Sequence, residues 1–224
     1  MRPRTRLPVA LVLLITLAAV TAVPTAEARE PPTPVCGVCS VDTTVDGTHV
    51  AGGESELTIQ LHENGSTTWV ATIELTAGAD AMAENDSLRR VVVDEAMGRS
   101  IAEPEDVRSG VDGETMTVRY RDAEAAERTV GTVVFTPLTP ESPDGLFVAG
   151  GEGPRYLGVD RFTLRAPPGY ELYGTGDGGR SGELVWTRNG TTERTYLDVT
   201  ADPVAVDADT WLPGVRVWLA RLLS

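Results

Sequence analysis

The sequence predicts a mainly β (α+β) protein: an antiparallel β-sandwich or open barrel, with one packed helix and a short C-terminal amphipathic helix. Three observations carry that prediction. Short runs alternate apolar and polar residues, as at Leu57-Ile59-Leu61, Trp69-Ala71-Ile73-Leu75 and Met116-Val118-Tyr120. Turn residues recur between such runs, including Asn64–Gly65, Asn189–Gly190 and Ala166-Pro167-Pro168-Gly169. Only two segments of the chain beyond residue 28 show the 3.6-residue period of a helix.

The chain opens with Arg2, Arg4 and Arg6, an apolar run from Leu7 to Val23, and Ala26-Glu27-Ala28. This order is that of a secretory signal, residues 1–28, with Arg29 as the expected mature start. An uncleaved anchor is the alternative. Residues 29–54, rich in Pro, Thr and Asp, read as a tether that carries Cys36-Gly37-Val38-Cys39, the only two cysteines. Residues 55–206 read as the β-rich domain.

Its first element is a hairpin turning at Asn64–Gly65. Asp80 to Gly98 is the helix candidate, with Leu88, Val91, Val92 and Ala96 on one face and Asp80 or Ser87 as its cap. Val130 to Phe135 is a β-branched strand. Pro140 to Gly153 is a loop with a short strand around Phe147. Strands follow at Phe162–Leu164, Tyr170–Tyr173 and Leu184–Trp186, and Tyr196 and Val199 return from Asn189–Gly190. Residues 207–224 form the C-terminal segment. There Val215, Trp218, Leu219 and Leu222 share a helical face, expected to pack on the sheet, with contact to a membrane surface through Trp211 and Trp218 as the minority reading.

Composition narrows the setting. The chain has 33 acids against 19 bases, for a net charge of −14, and every base is arginine. Carboxylates hold water and salt ions, and the absence of lysine avoids apolar stems that high salt would collapse. The expectation is a protein made for a salty medium. The same charge repels phosphate backbones and speaks against a nucleic-acid partner.

The composition, the leader and the Ile59-x-Leu61-x-Glu63-Asn64-Gly65-Ser66-x-x-Trp69 stretch together resemble exported haloarchaeal β-domain surface proteins. The resemblance covers little of the chain. It implies export and a β fold, and no site residue follows from it.

Candidate chemistry is sparse. Cys36 and Cys39 are a structural disulfide in an exporting reading, with a redox pair or half of a metal site as alternatives. His49 and His62 would complete a Cys₂His₂ set, although their spacing exceeds that of a zinc finger. The metal is left unknown and no cofactor is expected. Gly174, Gly176 and Gly179 spell a dinucleotide motif by letter but precede a strand, not a helix. The Asp/Gly-rich loops 42–53 and 174–183 lack the spaced ligands of a calcium loop. Asn64, Asn85 and Asn189 begin N-x-S/T sequons and are glycosylation candidates. Trp69 and Trp186 read as core, with an aromatic ligand platform as the alternative. No catalytic residue can be assigned. The expected function is a non-enzymatic exported or cell-surface module binding an envelope, glycan or protein ligand. The alternatives are a redox or metal-handling protein using the cysteines, and an exported hydrolase with an unrecognised site.

Overall fold

A computed structural model describes residues 31–140, 153–175, 180–188, 190, 194–197, 199 and 201–223. The expected signal, the strand at Phe147 and Asn189 lie outside the described residues. No described helix is long and apolar enough to cross a membrane.

Strands dominate. In chain order they are β1 (Thr33–Pro34), β2 (Asp42–Val45), β3 (Thr48–Leu61), β4 (Thr67–Ala77), β5 (Glu105–Asp112), β6 (Thr115–Asp122), β7 (Ala126–Thr129) and β8 (Thr132–Phe135). Then come β9 (Arg155–Tyr156), β10 (Arg161–Arg165), β11 (Tyr170–Tyr173), β12 (Arg180–Ser181), β13 (Glu183–Thr187) and β14 (Val204–Asp207). The helices are α1 (Ala79–Glu84), α2 (Asp86–Met97) and α3 (Pro213–Leu223), and a 3₁₀ turn spans Val38–Ser40.

The large sheet runs β13-β10-β3-β4-β6-β5, with β2 also on β3; a second sheet runs β12-β11-β14-β8-β7; β1 and β9 pair alone. Neither multi-stranded sheet closes into a barrel. Pairing is mostly antiparallel, but β10 lies parallel to β3 and β9 parallel to β1.

The alternation read from the sequence sets the inner face of the large sheet. On β6, Met116, Val118, Tyr120 and Asp122 are buried while the residues between them are exposed. Trp69 on β4 stacks on Tyr120 at 5.4 Å and meets Phe135 of the second sheet at 6.2 Å. Trp69 is therefore core. Trp186 is half-buried and stacks on Phe162 at 4.8 Å. All of β8 is buried because it has apolar neighbours on both sides: Phe135 joins the main core, and Val134 joins Val204, Val206, Val217 and Ala220 under α3. That is why Val133-Val134-Phe135 reads as an unbroken apolar run.

Several expectations are corrected. The stretch 33–54 is no loose tether: it contains β1, β2 and the start of β3, and Val35, Cys36, Val38, Cys39, Val41 and Val50 lie in the core. The first hairpin loop is not a two-residue turn. His62 pairs with Ser66 around Glu63-Asn64-Gly65, and only Gly65 (φ +87°) is left-handed. Its Cβ would stand 2.5 Å from the Ala126 carbonyl, so this turn is packed against β7.

The single helix expected from Asp80 is two, broken at Asn85. Asn85 adopts extended backbone and its Oδ1 accepts from the Ser87 and Leu88 amides, making it the N-cap in place of Ser87 or Asp80. The buried face is Leu88, Val92, Val93, Ala96 and Met97, while Val91 is exposed. Val130 belongs not to a strand but to the turn between β7 and β8, at φ +53°. Tyr196 bridges Tyr156 of β9 and is no return strand to β13. On α3 the inward face is Val217 and Ala220; Val215, Trp218 and Leu222 point outward.

Candidate functional site

The N-terminal segment enters the fold by backbone pairing. Thr33 N donates to Pro154 O at 3.2 Å and Val35 N to Tyr156 O at 2.8 Å. The chain then turns through Cys36-Gly37-Val38-Cys39, where the two cysteines form a disulfide across 5.4 Å between Cα atoms. Two glycines let this loop sit where it does. A Cβ on Gly37 would stand 2.4 Å from the Ala96 carbonyl at the end of α2. One on Gly158 (φ +62°) would stand 2.7 Å from Pro34 Cβ and 3.1 Å from Cys36 O. The disulfide loop is thus wedged between α2 and the 156–158 segment, with Cys36 and Cys39 buried.

On its outer side lies a cleft of about 400 Å³, bordered by Cys39, Asp42, Ser55, Tyr156, Arg188 and Arg194 among others. Its floor is the irregular part of β3, where register with β4 shifts between Ala51 and Ser55. Gly52 donates from its amide to Val41 O at 2.8 Å, which holds β2 over that irregularity. Arg194 and Thr195 form the far wall, at the start of a segment that runs along β9: Leu157 N donates to Thr195 O, and Leu197 N to Arg155 O, both at 3.0 Å.

That pairing places three side chains together. The Arg194 guanidinium lies 5.2 Å from the Tyr156 ring centroid, and Tyr196 meets the same ring edge-on at 6.4 Å. Tyr196 is half exposed. Arg188 is held otherwise. Its Nε donates to Asp160 Oδ1 at 3.0 Å, its Nη2 also bonds that oxygen, and Asp160 Oδ2 accepts from the Ser55 amide at 2.9 Å. Burial pushes the Asp160 carboxyl up, but the bonds from Arg188 and Ser55 and the Arg188 charge outweigh it and hold it below the usual value.

The remaining candidates are not brought together. His49 lies at the start of β3 and His62 just past its end, so the 14-residue strand, up to about 40 Å at a strand's rise, separates them. His62 Nε2 shares a hydrogen bond with Thr68 Oγ1 at 2.9 Å. Among the described residues no three His, Cys, Asp or Glu side chains gather to hold a metal ion. Two further cavities, of about 830 and 510 Å³, share Glu103, Asp122 and Glu124 in their walls. Asp122 is spoken for as a loop clip, accepting from the Glu103 amide at 3.0 Å and the Glu124 amide at 3.1 Å. Asn64 and Asn85 are exposed, but Ser66 of the first sequon is buried and bonds Asn64 Oδ1 at 2.8 Å.

Sequence reasoning missed the Tyr156–Arg194–Tyr196 group. Tyr156 sits in a segment with no strand pattern and the sequence assigns Tyr196 to a hairpin with Leu184–Trp186, so only the pairing of 194–197 with β9 joins them. Compared with known proteins, the chain matches no family model, no curated protein and no solved structure.

Proposed function

We propose that the protein is an exported, non-enzymatic surface module of a salt-adapted cell, and that the cleft beside the disulfide binds an anionic glycan. The observation that carries this reading is the Arg194 guanidinium lying over Tyr156 with Tyr196 at its edge. Aromatic faces pair with the C–H faces of sugar rings, and a guanidinium presents a planar fork to a carboxylate. Arg188 is tied to Asp160, and Asp42 also borders the cleft, so the charge that this reading assigns to the ligand is that of Arg194. High salt would screen the surrounding acids and leave short-range pairing in the cleft intact.

A disulfide inside the core supports the exported reading, since such bonds persist in oxidising compartments. Burial of both cysteines also weighs for a clip over a redox pair, because exchange needs an accessible sulfur. The test is titration with oligogalacturonate, followed by intrinsic fluorescence, against its neutral methyl ester. Binding of the acid form that falls roughly tenfold or more in Arg194→Ala supports the reading. Equal binding of both forms, or none, sinks it.

A further inference from the structure

We propose that the outward face of α3 docks on a lipid surface. The helix packs on the second sheet through Val217 and Ala220, small contacts that leave its larger apolar side chains in solvent. Trp211 is 84% exposed, Trp218 63%, Leu222 65% and Leu223 62%. Val215, Trp218 and Leu222 follow one another at helical spacing on that side, and Trp211 and Leu212 continue the strip before the helix begins.

The neighbouring turn extends the same patch. Arg216 reaches the Val130 carbonyl at 3.5 Å, so the β7–β8 turn abuts the helix, and Val130 is itself 46% exposed. Val130 (φ +53°) and Leu212 (φ +57°) are both left-handed. That conformation is costly for a branched apolar residue and usual for Gly, Asn or Asp. The only other non-glycine residues with such backbone are aspartates, Asp46 and Asp106, among the described residues. Apolar side chains are thus kept outward at two positions where a turn would favour polar ones.

Charge names the occupant. From Thr210 to Ser224 there is no acidic residue, in a chain where 33 of 224 are acidic, and the segment carries Arg216 and Arg221. Both arginines sit at the border of helix and sheet, Arg221 donating to Tyr173 O at 3.2 Å. Tryptophan and leucine flanked by guanidinium groups match the boundary where acyl chains meet headgroup phosphates. At about 1.5 Å per residue the helix is too short to cross a bilayer and would lie in its plane. If the apolar run Leu7–Val23 serves as the expected secretory signal, it would also bring this chain to a membrane. The inference is independent of the cleft, so either can fail alone.

The experiment uses the full chain with phosphatidylcholine–phosphatidylglycerol vesicles whose acyl chains carry bromine. Because the N-terminal run can bind vesicles by itself, the readout is quenching of the exposed tryptophans; Trp69 is buried and Trp186 is half-buried on Phe162. Quenching by bromine is expected, and Trp211→Ser/Trp218→Ser, which leaves only Trp69 and Trp186, should lose the quenched component and so assign it to those two side chains. Leu222→Asp, at an exposed position that leaves the fold alone, should raise the lipid concentration needed roughly tenfold. If Trp211 and Trp218 stay open to aqueous iodide on vesicles, the proposal is wrong. If protection arises without lipid as light scattering shows a dimer, the face belongs to a second copy and the proposal is equally overturned.

Discussion

The disulfide end and the α3 end of this molecule treat apolar surface in opposite ways. Around Cys36–Cys39 the chain is gripped from two sides: α2 presses on Gly37, the 156–158 segment presses on the loop, and Val35, Val38 and Val41 are buried. At α3 the contact with the body is made by Val217 and Ala220, and the bulk of the apolar side chains faces out. The difference teaches that amphipathicity reports a stripe and not its partner. A helix can spend its small residues on the fold and keep its large ones for something else.

The sharpest way to break the comparison is at Gly37. A valine there would push its Cβ into the Ala96 carbonyl, a backbone group that cannot swing aside. Gly37→Val should cost about 3 kcal/mol or more, because the disulfide loop must lift off α2. Urea unfolding would measure it, and a loss below about 0.5 kcal/mol would mean the wedge is looser than described.

At the other end the contrast lies within a single helix. Val217→Asp places a carboxylate among Val134, Val204 and Val206 and should cost about 3 kcal/mol. Trp218→Ser, one residue on and 63% exposed, should change stability by less than about 0.5 kcal/mol. Equal costs at the two positions would mean that α3 sits the other way round.

How much of this was legible follows from the same physics. The inner faces of β3, β4 and β6 were readable because period two coincides with burial there. The β5 strand was not, since most of its residues are exposed at the edge of the sheet and its sequence, Glu105 to Asp112, offers no apolar alternation. The inward side of α3 was misread because Val215, Trp218 and Leu222 outweigh Val217 and Ala220 in any apolar count. The cysteine pair was legible because Cys36 and Cys39 are the only two cysteines and an exported chain is expected to pair them. The aromatic–arginine group beside it was not, because Tyr156 and Tyr196 are distant in sequence and meet through pairing that no local pattern announces.

The smallest expected effect concerns acid. Asp160 ties the irregular part of β3 to β13 through Ser55 and Arg188, and its carboxyl is held below the usual value. A lowered carboxyl contributes stability above its unfolded value, near about 3.9, and loses it as pH falls through the folded one. Asp202 acts with the opposite sign. Burial holds it above the usual value despite the Thr139 bond and the Arg221 charge, so its contribution is present at low pH and lost as pH rises through the folded value. Asp160→Asn should therefore flatten the loss of stability below pH of about 4, by about 1 kcal/mol once discounted for a side chain one-third exposed. Asp202→Asn should leave that acid limb steep and raise stability slightly at neutral pH. An acid limb unchanged in Asp160→Asn would mean that Arg188 and Ser55 hold the bulge without the carboxylate, and that the cleft floor rests on backbone pairing alone.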